Sequence, residues 1–563
     1  MQHSISTLQP DSQAARFQSG KCYDLAIIGA GISSAYTLIH YLSLVEQQFT
    51  NSEARLNPVF PKQPLKIVVT EKYGEFWTGI PYGSRSGKTA LLISPLIEFI
   101  PQAAEREHFI EWLNANREWL FDPQEYSRGE LSHQWLQANA ADMAQNCWDD
   151  LFIPRHVFGL YLQERVSQTI QSAVSKGWIE IDTITADVWD VRQDRDLYRV
   201  DLTTTEGDTY FTTEKLVLAI GSPPNVAFAK PVNELETDAC YIDNMYEPSL
   251  DANLDRICKS LAHQPHRQVL MVGSNAGTLD TLYSINNSKV AADLIDKFII
   301  LSPNAAFPHR ISREVPVLNY TPQHLVGLLK SEIFTAKQIF EAVRSDVADA
   351  TAANINISDI YSDISKVTMQ GLNRLNVEEQ AQFVFIYAVE IGKLQRRAGG
   401  EYLDVVGKAI ERDKLEFIKG KFVSSTIDEV GNLACEYIDG ETCQQQTINA
   451  SIGAIINCAG FQDVTKSSSL LIQNLIKREI CIPNQSGRGF TIDKNFEASK
   501  NCYVMGPLVA GNIDGSLRIW HAESCQRIIG LSQHLASVLM PPTPAANIDR
   551  EYYEPTLANT IEI

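Results

Sequence analysis

One glycine-rich turn constrains the fold of this chain more than any other feature. An apolar run from Leu25 to Ile28 ends at Gly29-Ala30-Gly31, and a helix-compatible stretch follows. This order of strand, tight turn and helix start is typical of a dinucleotide-binding unit. Gly29 permits the turn, Gly31 lets a pyrophosphate approach the backbone, and Ser34 is small enough for helix and strand to pack closely. The N–H groups of the first helical turn would then bind phosphate.

The next predicted strand supports this interpretation. It runs from Leu65 to Val69 and ends at Glu71, where a carboxylate can accept hydrogen bonds from both ribose hydroxyls. The separation of Gly29 from Glu71 exceeds the roughly 20 residues usual for the fingerprint. The polar stretch 47–64 explains the excess as an insertion after the helix. The alternative is a glycine turn in a doubly wound domain that binds no nucleotide.

A loop rich in glycine and aromatic residues follows this acid at residues 74–83. Such a loop can line the pocket of a flavin ring, which makes Trp77, Gly79 and Tyr82 candidate cofactor contacts. The alternative is an ordinary Gly/Pro loop with aromatic packing.

A second glycine turn occupies residues 268–280. A predicted strand runs into Gly273, and a helix is predicted to begin near Ala276. Asn275 stands where the second glycine belongs. Asparagine tolerates positive φ, so the turn is expected to survive, but the side chain narrows the approach of a pyrophosphate. The alternative is a second unit that is kept for architecture and binds no nucleotide.

The strand after this turn favours NADPH over NADH. No acid follows the run from Phe298 to Leu301, whereas His309 and Arg310 are candidates to bind a 2′-phosphate. Two further charged residues are candidates for contacts elsewhere. Arg155 can reach a phosphate or a carboxylate, with a surface salt bridge as the alternative, and Asp280 is expected to contact the other domain.

A degenerate repeat then defines the architecture. Each copy has a glycine turn, a three-stranded antiparallel meander and a buried strand that ends in glycine, at Gly221 and at Gly460. The predicted strands are 187–192, 197–203, 208–212 and 216–221 in the first copy, and 422–427, 433–438, 446–450 and 453–460 in the second, with a turn at Gly431-Asn432. The fold class is therefore α/β, with two Rossmann-like dinucleotide-binding domains, each with a three-stranded β-meander, and a helical insertion.

The remaining segments complete the domain prediction. Residues 103–183 are largely helical in pattern, Cys502 to Met505 form a strand before Gly506-Pro507, 511–515 form a loop, and a helix runs from 517 to 539. The N-terminus of that helix, beside a flavin, would stabilise negative charge on the ring. The predicted domains are a tail at 1–20, a first dinucleotide-binding domain at 21–230 and 462–540, a second at 265–310 and 416–461, a helical insertion at 311–415, and a tail at 541–563.

Bulk properties exclude several classes of function. A chain of 563 residues predicts two or three domains, and a formal charge of 48 − 68 = −20 argues against nucleic acid or anionic membrane as a partner. No apolar run approaches the ~20 residues that span a bilayer, and Met1 to Gly20 lacks the features of a secretory signal. The ten cysteines form no Cys-x-x-Cys and indicate free thiols in a reducing, cytoplasmic compartment. No histidine spacing predicts a metal site.

The order of these motifs resembles the two-dinucleotide-binding-domain flavoproteins, a glutathione-reductase-like superfamily that includes flavin N-hydroxylating monooxygenases. More narrowly, the chain is similar to FAD/NAD(P)-binding proteins with three further motifs. These stand here as Gly79-Ile80-Pro81-Tyr82-Gly83, Phe109-Ile110-Glu111-Trp112-Leu113 and Pro154 to Leu162. Later matches are Val272-Gly273 through Asp280, Cys458-Ala459-Gly460-Phe461 and Met505-Gly506-Pro507-Leu508. Leu92-Ile93-Ser94 departs from the Leu-Asn-Val of many relatives.

The resemblance implies FAD on the first unit and NADPH or NADH on the second. It carries FAD contacts onto Gly29, Gly31, Ser34, Glu71 and Gly506. The full set of candidate cofactor-binding residues is Gly29, Ala30, Gly31, Ile32, Ser33, Ser34, Glu71, Trp77, Gly79, Tyr82, Gly221, Gly273, Ser274, Asn275, Ala276, Gly460, Gly506 and Pro507.

Three functions follow from this resemblance and the motifs. The first is an NAD(P)H-dependent monooxygenase that uses molecular oxygen to hydroxylate a small molecule, with an amine or amino-acid nitrogen as the target. The absence of any catalytic triad fits, because the cofactor carries the chemistry. The second is an NAD(P)H dehydrogenase or reductase without oxygenation. The third is a flavin-binding regulatory or scaffold protein, which Asn275 favours. The lack of Cys-x-x-Cys argues against a disulfide reductase.

Overall fold

The computed structural model describes residues 19–50, 64–228, 240–264, 267–312, 319–427, 433–514 and 517–541. Both predicted tails, apart from residues 19, 20 and 541, lie outside the described residues. So do most of the predicted insertion 47–64 and the predicted turn Gly431-Asn432.

The first part of the chain alternates parallel strands with helices and then turns to antiparallel strands. Its strands are β1 (Cys22–Ile28), β2 (Leu65–Glu71), β3 (Ile179–Thr185), β4 (Asp187–Asp194), β5 (Leu197–Thr204) and β6 (Gly207–Leu218). Its helices are α1 (Ile32–Thr50), α2 (Gly79–Tyr82), α3 (Leu96–Phe99), α4 (Ala103–Leu120), α5 (Pro123–Tyr126), α6 (Glu130–Ala144) and α7 (Arg155–Ser175).

The central part repeats this order around a helical block. Its strands are β7 (Cys240–Ile242), β8 (Gln268–Val272), β9 (Lys297–Ser302), β10 (His309–Ile311), β11 (Arg397–Gly399), β12 (Leu415–Ile427), β13 (Leu433–Asp439) and β14 (Gln445–Asn457). Its helices are α8 (Leu250–Ala262), α9 (Ala276–Asn287), α10 (Lys289–Leu294), α11 (Gln323–Leu328), α12 (Ala336–Ala352), α13 (Ile357–Leu372), α14 (Val377–Gln382), α15 (Ala388–Leu394) and α16 (Gly400–Glu411), with a π-helical turn at Phe383–Tyr387 between α14 and α15.

The last part of the chain contains α17 (Leu470–Lys477), β15 (Glu497–Ser499), β16 (Cys502–Val504), β17 (Asn512–Asp514), β18 (Leu517–Ile519) and α18 (Cys525–Leu539). It contributes β15 and β16 to the sheet that contains β1.

Two sheets give the molecule its two dinucleotide-binding units. The first has the order β15-β16-β6-β1-β2-β3, with β4 and β5 continuing from β6. The second has the order β13-β12-β9-β8-β14-β7. The strand β1 pairs in parallel with β2 and β6, and β8 pairs in parallel with β9 and β14. Each glycine turn therefore lies at the carboxyl end of a central parallel strand, where open α/β sheets bind ligands.

This architecture confirms the predicted fold class. The domain bounds stay a prediction, although β7, which lies before residue 265, pairs with the second sheet through β14.

The meander and the buried strand that follows it were predicted as separate strands, and this is wrong in both units. Residues 208–212 and 216–218 belong to one strand, β6, and residues 446–450 and 453–457 belong to one strand, β14. The physical reason is that one continuous strand changes its pairing partner along its length. β6 pairs antiparallel with β5 over its first part and parallel with β1 over its second.

Two predicted boundaries are also wrong. Residues 179–183, placed in the helical region, belong to β3, which pairs in parallel with β2. The helix predicted from residue 517 begins at Cys525, because Leu517–Ile519 form β18 and pair with β17, which was predicted as a loop. Leu517 and Ile519 are buried while Arg518 between them is not, a period-two pattern typical of a strand.

The helical block 323–411 has a hydrophobic core of its own over α11 to α15. Trp520 from the C-terminal part is 1% exposed within that core and packs edge-on against Phe383. The helical block is thereby attached to the segment that leads into α18.

The two connections between the units lie side by side. Asn225 and Phe461 form an antiparallel bridge. The Val226 N–H donates to Gly460 O at 2.9 Å, and the Gln462 N–H donates to Pro224 O at 2.8 Å. The chain therefore leaves the first unit and returns to it at one place.

Candidate functional site

The first glycine turn has the backbone that the sequence predicts. Gly29 has a φ of 91°, and a Cβ there would lie 2.4 Å from Ala219 O, so no other residue fits. The Ser34 hydroxyl is fully buried and donates to Gly29 O. Gly31 is different, because a Cβ there would meet only Gly79, 3.5 Å from its Cα. Gly29 and Ser34 therefore build the turn, while Gly31 and Gly79 pack backbone against backbone beside it.

The aromatic loop closes over this turn. Trp77 is 5% exposed and adopts a left-handed φ of 77°, which is uncommon for an aromatic residue. Its backbone N–H donates to Ala30 O at 2.6 Å. Trp77 thus holds the loop against the turn.

The C-terminal segment reaches the same turn. A Cβ on Gly506, whose φ is 87°, would lie 2.6 Å from the Ser33 Oγ. Ile32 and Ser33 are buried, and Pro507 begins a 3₁₀ turn. The predicted contacts from residues 29 to 34 and from 506 to 507 are therefore brought together.

Glu71 ends β2 as predicted. Its Oε2 accepts the backbone N–H groups of Tyr73 and of Glu75, the latter at 3.3 Å. Its Oε1 has no hydrogen-bond partner among the described residues, so one oxygen stays available for a ribose hydroxyl.

Tyr82 lies in different surroundings from the other candidates. Its ring packs edge-on against Phe99 and Phe158, with centroids 6.0 Å and 5.1 Å away. Burial raises the pKa of its hydroxyl. A Cβ on Gly159 of α7 would lie 2.1 Å from Tyr82 O, which explains the glycine in that helix. The half-buried Tyr82 ring thus packs against other aromatic rings on one side, and its contact with a cofactor stays a prediction.

The second glycine turn reproduces the first. Gly273 has a φ of 115°, and a Cβ there would lie 2.2 Å from Cys458 O, just as Gly29 faces Ala219. The Thr278 hydroxyl donates to Gly273 O at 2.9 Å, in the role of Ser34. Ser274 and Asn275 then lead directly to Ala276, the first residue of α9.

The positive φ considered for Asn275 is wrong. Asn275 has a φ of −92° and a ψ of −173°, an extended conformation open to any residue. Its side chain does not cap α9. Its Oδ1 instead accepts a hydrogen bond from the Arg396 guanidinium of the helical block.

Gly221 and Gly460 follow the two long strands and share one property. Their φ values are 77° and 94°, and a Cβ on either would meet nothing within 4 Å. Each therefore borders open space beside the paired connections.

The two residues considered for a 2′-phosphate are already engaged. The Arg310 Nη1 lies 2.6 Å from Asp404 Oδ1. The His309 Nε2 lies 3.1 Å from Leu394 O, and burial lowers the pKa of the ring. Their role toward a nucleotide stays a prediction.

A group of four charged residues and one histidine, which the sequence did not point to, lies between the second turn and α18. We call it the charged cleft: Glu390, Arg396, Arg488, His521 and Glu523. Glu523 is exposed and forms no hydrogen bond or ion pair within the described part of the chain. Its surroundings nevertheless raise the pKa of its carboxyl, chiefly through desolvation, against the opposing charges of Arg396 and Arg488. Glu523 therefore presents an accessible carboxylate that interacts with two cationic side chains.

The walls of the charged cleft come from three parts of the chain. Arg488 donates to Phe385 O at 3.1 Å and to Val384 O at 3.0 Å, both in the π-helical turn. Such turns are frequent at functional sites. Burial, with the charges of Arg527 and Arg488, lowers the pKa of His521 to about 3, so its ring is neutral at pH 7. A sequence signal existed in Arg396-Arg397 and in His521-Ala522-Glu523, but nothing in the sequence linked them.

Arg155 and Asp280 form a buried ion pair, with Nη1 and Oδ2 2.5 Å apart. The suggestion of a surface salt bridge for Arg155 is thus wrong, because both side chains are about nine-tenths buried. The Tyr246 hydroxyl donates to the same carboxylate oxygen at 2.9 Å. The expectation that Asp280 contacts the other unit is confirmed.

Two negative findings concern the described residues only. In the ranges given above, no group of three or more His, Cys, Asp or Glu residues is placed to hold a metal ion. Over the same ranges, no helix has the length and apolar character needed to cross a membrane.

The two turns, the strand-end acid and the adjoining spaces define an α/β protein with two dinucleotide-binding units. Residues 26–223 match the model of a protein family described as FAD-NAD(P)-binding. The chain therefore carries an FAD/NAD(P)-binding domain, which confirms the predicted cofactors, FAD and a nicotinamide nucleotide. The residues fit FAD: neither Gly31 nor Gly79, which lie side by side, carries a side chain that would obstruct a pyrophosphate at the first turn, and the Glu71 Oε1 is available.

Sequence relatives cover nearly the whole chain. Uncharacterised proteins of Mycobacterium bovis and Mycobacterium tuberculosis are 28% identical over 523 residues, which span 92% of this chain and 95% of theirs.

Solved structures share the fold at low sequence identity. The reduced ornithine hydroxylase of Pseudomonas aeruginosa has a TM-score of 0.54 at 10% identity and covers 92% of this chain and 99% of its own. The ornithine N-hydroxylase of Kutzneria sp. 744, with reduced FAD, NADP⁺ and L-ornithine, has a TM-score of 0.52 at 12% identity and the same coverage. The cadaverine monooxygenase of Erwinia amylovora, bound to FAD, has a TM-score of 0.52 at 11% identity and covers 93% and 95%. The resemblance to flavoproteins of this architecture is thereby confirmed.

Proposed function

We propose that this protein is an NAD(P)H-dependent flavin monooxygenase that hydroxylates the nitrogen of a small amine or amino acid. The overall change is R–NH₂ + O₂ + NAD(P)H + H⁺ → R–NHOH + H₂O + NAD(P)⁺. The observation that carries the proposal is the carboxylate of Glu523, which is accessible within the charged cleft and has no partner among the described residues.

The chemistry of the nitrogen explains why such a carboxylate is useful. An alkylamine is protonated near pH 7, and only its neutral form is a nucleophile. A carboxylate with a raised pKa accepts a proton more readily than an ordinary one, and it also attracts the cationic form of the amine. Glu523 is thus suited to bind the ammonium group and to take its proton.

The two arginines of the charged cleft add a second recognition element. Arg396 and Arg488 lie near enough to Glu523 to interact with its charge. They are suited to a carboxylate or another anionic group at the far end of the substrate. This arrangement favours a zwitterion, such as an amino acid, over a simple diamine.

The cofactor residues are assigned from the turn geometry. FAD, when bound, supplies the redox chemistry that connects NAD(P)H to oxygen. Gly29 and Gly31 would let its pyrophosphate approach α1, and the Glu71 Oε1 would accept a ribose hydroxyl. The start of α18 at Cys525, two residues from Glu523, places the charged cleft near the first unit, because α18 packs along α1.

The fold neighbours support the same class of reaction, since their names describe hydroxylases of ornithine and a monooxygenase of cadaverine. The spacing of the cysteines also supports a monooxygenase over a disulfide reductase. The ten cysteines contain no Cys-x-x-Cys pair, so a disulfide reductase is disfavoured.

One observation favours a second candidate, a flavin-binding regulatory or scaffold protein. The hydrogen bond from Arg396 to Asn275 occupies the mouth of the second turn. A protein whose second turn is closed by this contact binds FAD and does not oxidise NAD(P)H.

The test starts with the purified flavoprotein in air. NADPH and NADH are added separately, with ornithine, lysine or cadaverine as trial substrates, and oxygen uptake and hydroxylamine formation are measured. We expect hydroxylamine in proportion to the NAD(P)H consumed. Glu523→Gln is expected to lose product formation, while Glu411→Gln, an exposed acid on α16, serves as the matched control.

Other outcomes select other functions. NAD(P)H oxidation without a hydroxylated product from any trial substrate indicates the dehydrogenase or reductase. Flavin that neither nucleotide reduces indicates the regulatory protein.

A further inference from the structure

We propose that Arg396, a residue of the helical block, binds the pyrophosphate of the nicotinamide nucleotide at the second glycine turn. In the usual turn, a second glycine allows the pyrophosphate to approach the backbone. Asn275 occupies that position here, and its side chain fills part of the approach. The Arg396 guanidinium donates a hydrogen bond to this side chain. A pyrophosphate bound at the turn would contact the charged guanidinium in place of the backbone N–H groups.

The backbone around Arg396 is fixed in place. β11 pairs in parallel with β10, and the His309 N–H donates to Arg396 O at 2.7 Å. The next residue, Arg397, forms an ion pair with Glu98 at 3.0 Å. The position of Arg396 beside the turn therefore follows from the fold and not from its own side chain alone.

The charge of Arg396 is not matched by a contacting carboxylate. Within the described residues no acid lies within ion-pair distance of it, whereas its neighbours Arg397 and Arg310 are paired with Glu98 and Asp404. Glu390 and Glu523 influence Arg396 only from a greater distance. An unmatched guanidinium beside a dinucleotide turn is suited to a diphosphate, which it can contact with two parallel N–H groups.

The place of the contact distinguishes the pyrophosphate from the 2′-phosphate. Asn275 precedes α9 directly, and the start of this helix is where a Rossmann turn holds the pyrophosphate. A 2′-phosphate is recognised further along, after the next strand. Because NADH and NADPH share the pyrophosphate, Arg396 is expected to serve both nucleotides equally.

This inference rests on the nicotinamide part of the proposed function, and binding without turnover tests it separately. The oxidised flavoprotein is titrated with NADP⁺ and with NAD⁺ by calorimetry. We expect Arg396→Ala to raise both dissociation constants by the same factor, about tenfold or more, as for a lost charge-assisted hydrogen bond. Arg396→Lys is expected to lose less. Arg344→Ala, an exposed arginine on α12 paired with Glu341, is the matched control and is expected to change neither constant.

The flavin spectrum of each variant checks that the fold is retained, so a weaker titration cannot be ascribed to unfolding. Weaker binding of NADP⁺ alone would overturn the inference in favour of a 2′-phosphate contact. Tighter binding by Arg396→Ala would overturn it in favour of a residue that blocks the turn. Unchanged binding, or a wild-type protein that binds neither nucleotide, would also overturn it. None of these results depends on whether an amine is hydroxylated.

Discussion

Arg155 and Asp280 connect the two dinucleotide-binding units through a buried ion pair, with 2.5 Å between Nη1 and Oδ2. Arg155 is the first residue of α7 in the first unit, and Asp280 lies on α9 of the second. The Tyr246 hydroxyl contacts both partners, at 3.2 Å from the Arg155 Nη2 and 2.9 Å from the Asp280 Oδ2. The two charges are thus enclosed where the units meet.

Replacing Asp280 by asparagine should destabilise the protein strongly, because it leaves the Arg155 charge buried and unpaired. Loss of one partner of a buried pair costs about 3–5 kcal/mol. Chemical denaturation would measure the free energy of unfolding. Asp296→Asn is the matched control, since it breaks the exposed pair with Arg267 and should cost less than about 1 kcal/mol. Equal losses in the two variants would contradict the assignment.

Gly29 and Gly31 should respond differently to alanine although they are two residues apart. A Cβ at Gly29 would meet Ala219 O at 2.4 Å, so Gly29→Ala should impair folding. A Cβ at Gly31 meets only Gly79 at an ordinary distance, so Gly31→Ala should fold normally and bind FAD more weakly. Circular dichroism and the flavin content of the purified variants separate the two effects. A Gly31→Ala protein with full flavin content would contradict the role given to Gly31.

Short sequence patterns predicted those parts of the fold that depend on residues close together in the chain. Both glycine turns were located because Gly29 and Gly273 must adopt conformations that other residues resist. The meanders were visible as period-two alternation. Their continuation into the parallel strands was not, because a strand that changes partners, as β6 does, carries no signal in its own residues.

The charged cleft shows why the rest of the site was not predictable. Arg396, Arg488 and Glu523 lie far apart in the chain, and the packing of Trp520 in the core of the helical block helps to bring Glu523 near Arg396. Each of these charged residues alone is typical of a solvated surface. Asn275 was recognised as a departure, but its contact with Arg396 depends on the pairing of β10 with β11.

The raised pKa of Glu523 predicts a distinctive pH profile for hydroxylation. The carboxylate form accepts the proton of the amine, so kcat/KM should fall as the pH drops through the raised pKa of Glu523. Glu523→Gln should lower product formation by about 10²-fold or more and remove that dependence. NAD(P)H oxidation in the absence of substrate should be little affected. A variant that retains the wild-type profile would show that another group carries the proton.

His156 should make the protein sensitive to mild acid. Burial, followed by the charge of Lys88, lowers the pKa of His156 from 6.5 to about 4, and the start of α7 also disfavours a cation. Between these two values the unfolded chain binds a proton that the folded protein does not. Stability is therefore fully present above pH 6.5 and decreases as the pH falls toward 4, by at most about 1.4 kcal/mol per pH unit from this group.

The variant His156→Gln isolates this contribution, because glutamine is neutral at every pH. Urea denaturation at pH 7.5 and pH 5.0 would measure the change in the free energy of unfolding between the two conditions. We expect a smaller change for His156→Gln than for the wild type. His263→Gln, which alters an exposed ring after α8, is the matched control and should behave as the wild type does. If His156→Gln loses as much stability at pH 5.0 as the wild type, His156 is already protonated in the folded protein and the assignment is wrong.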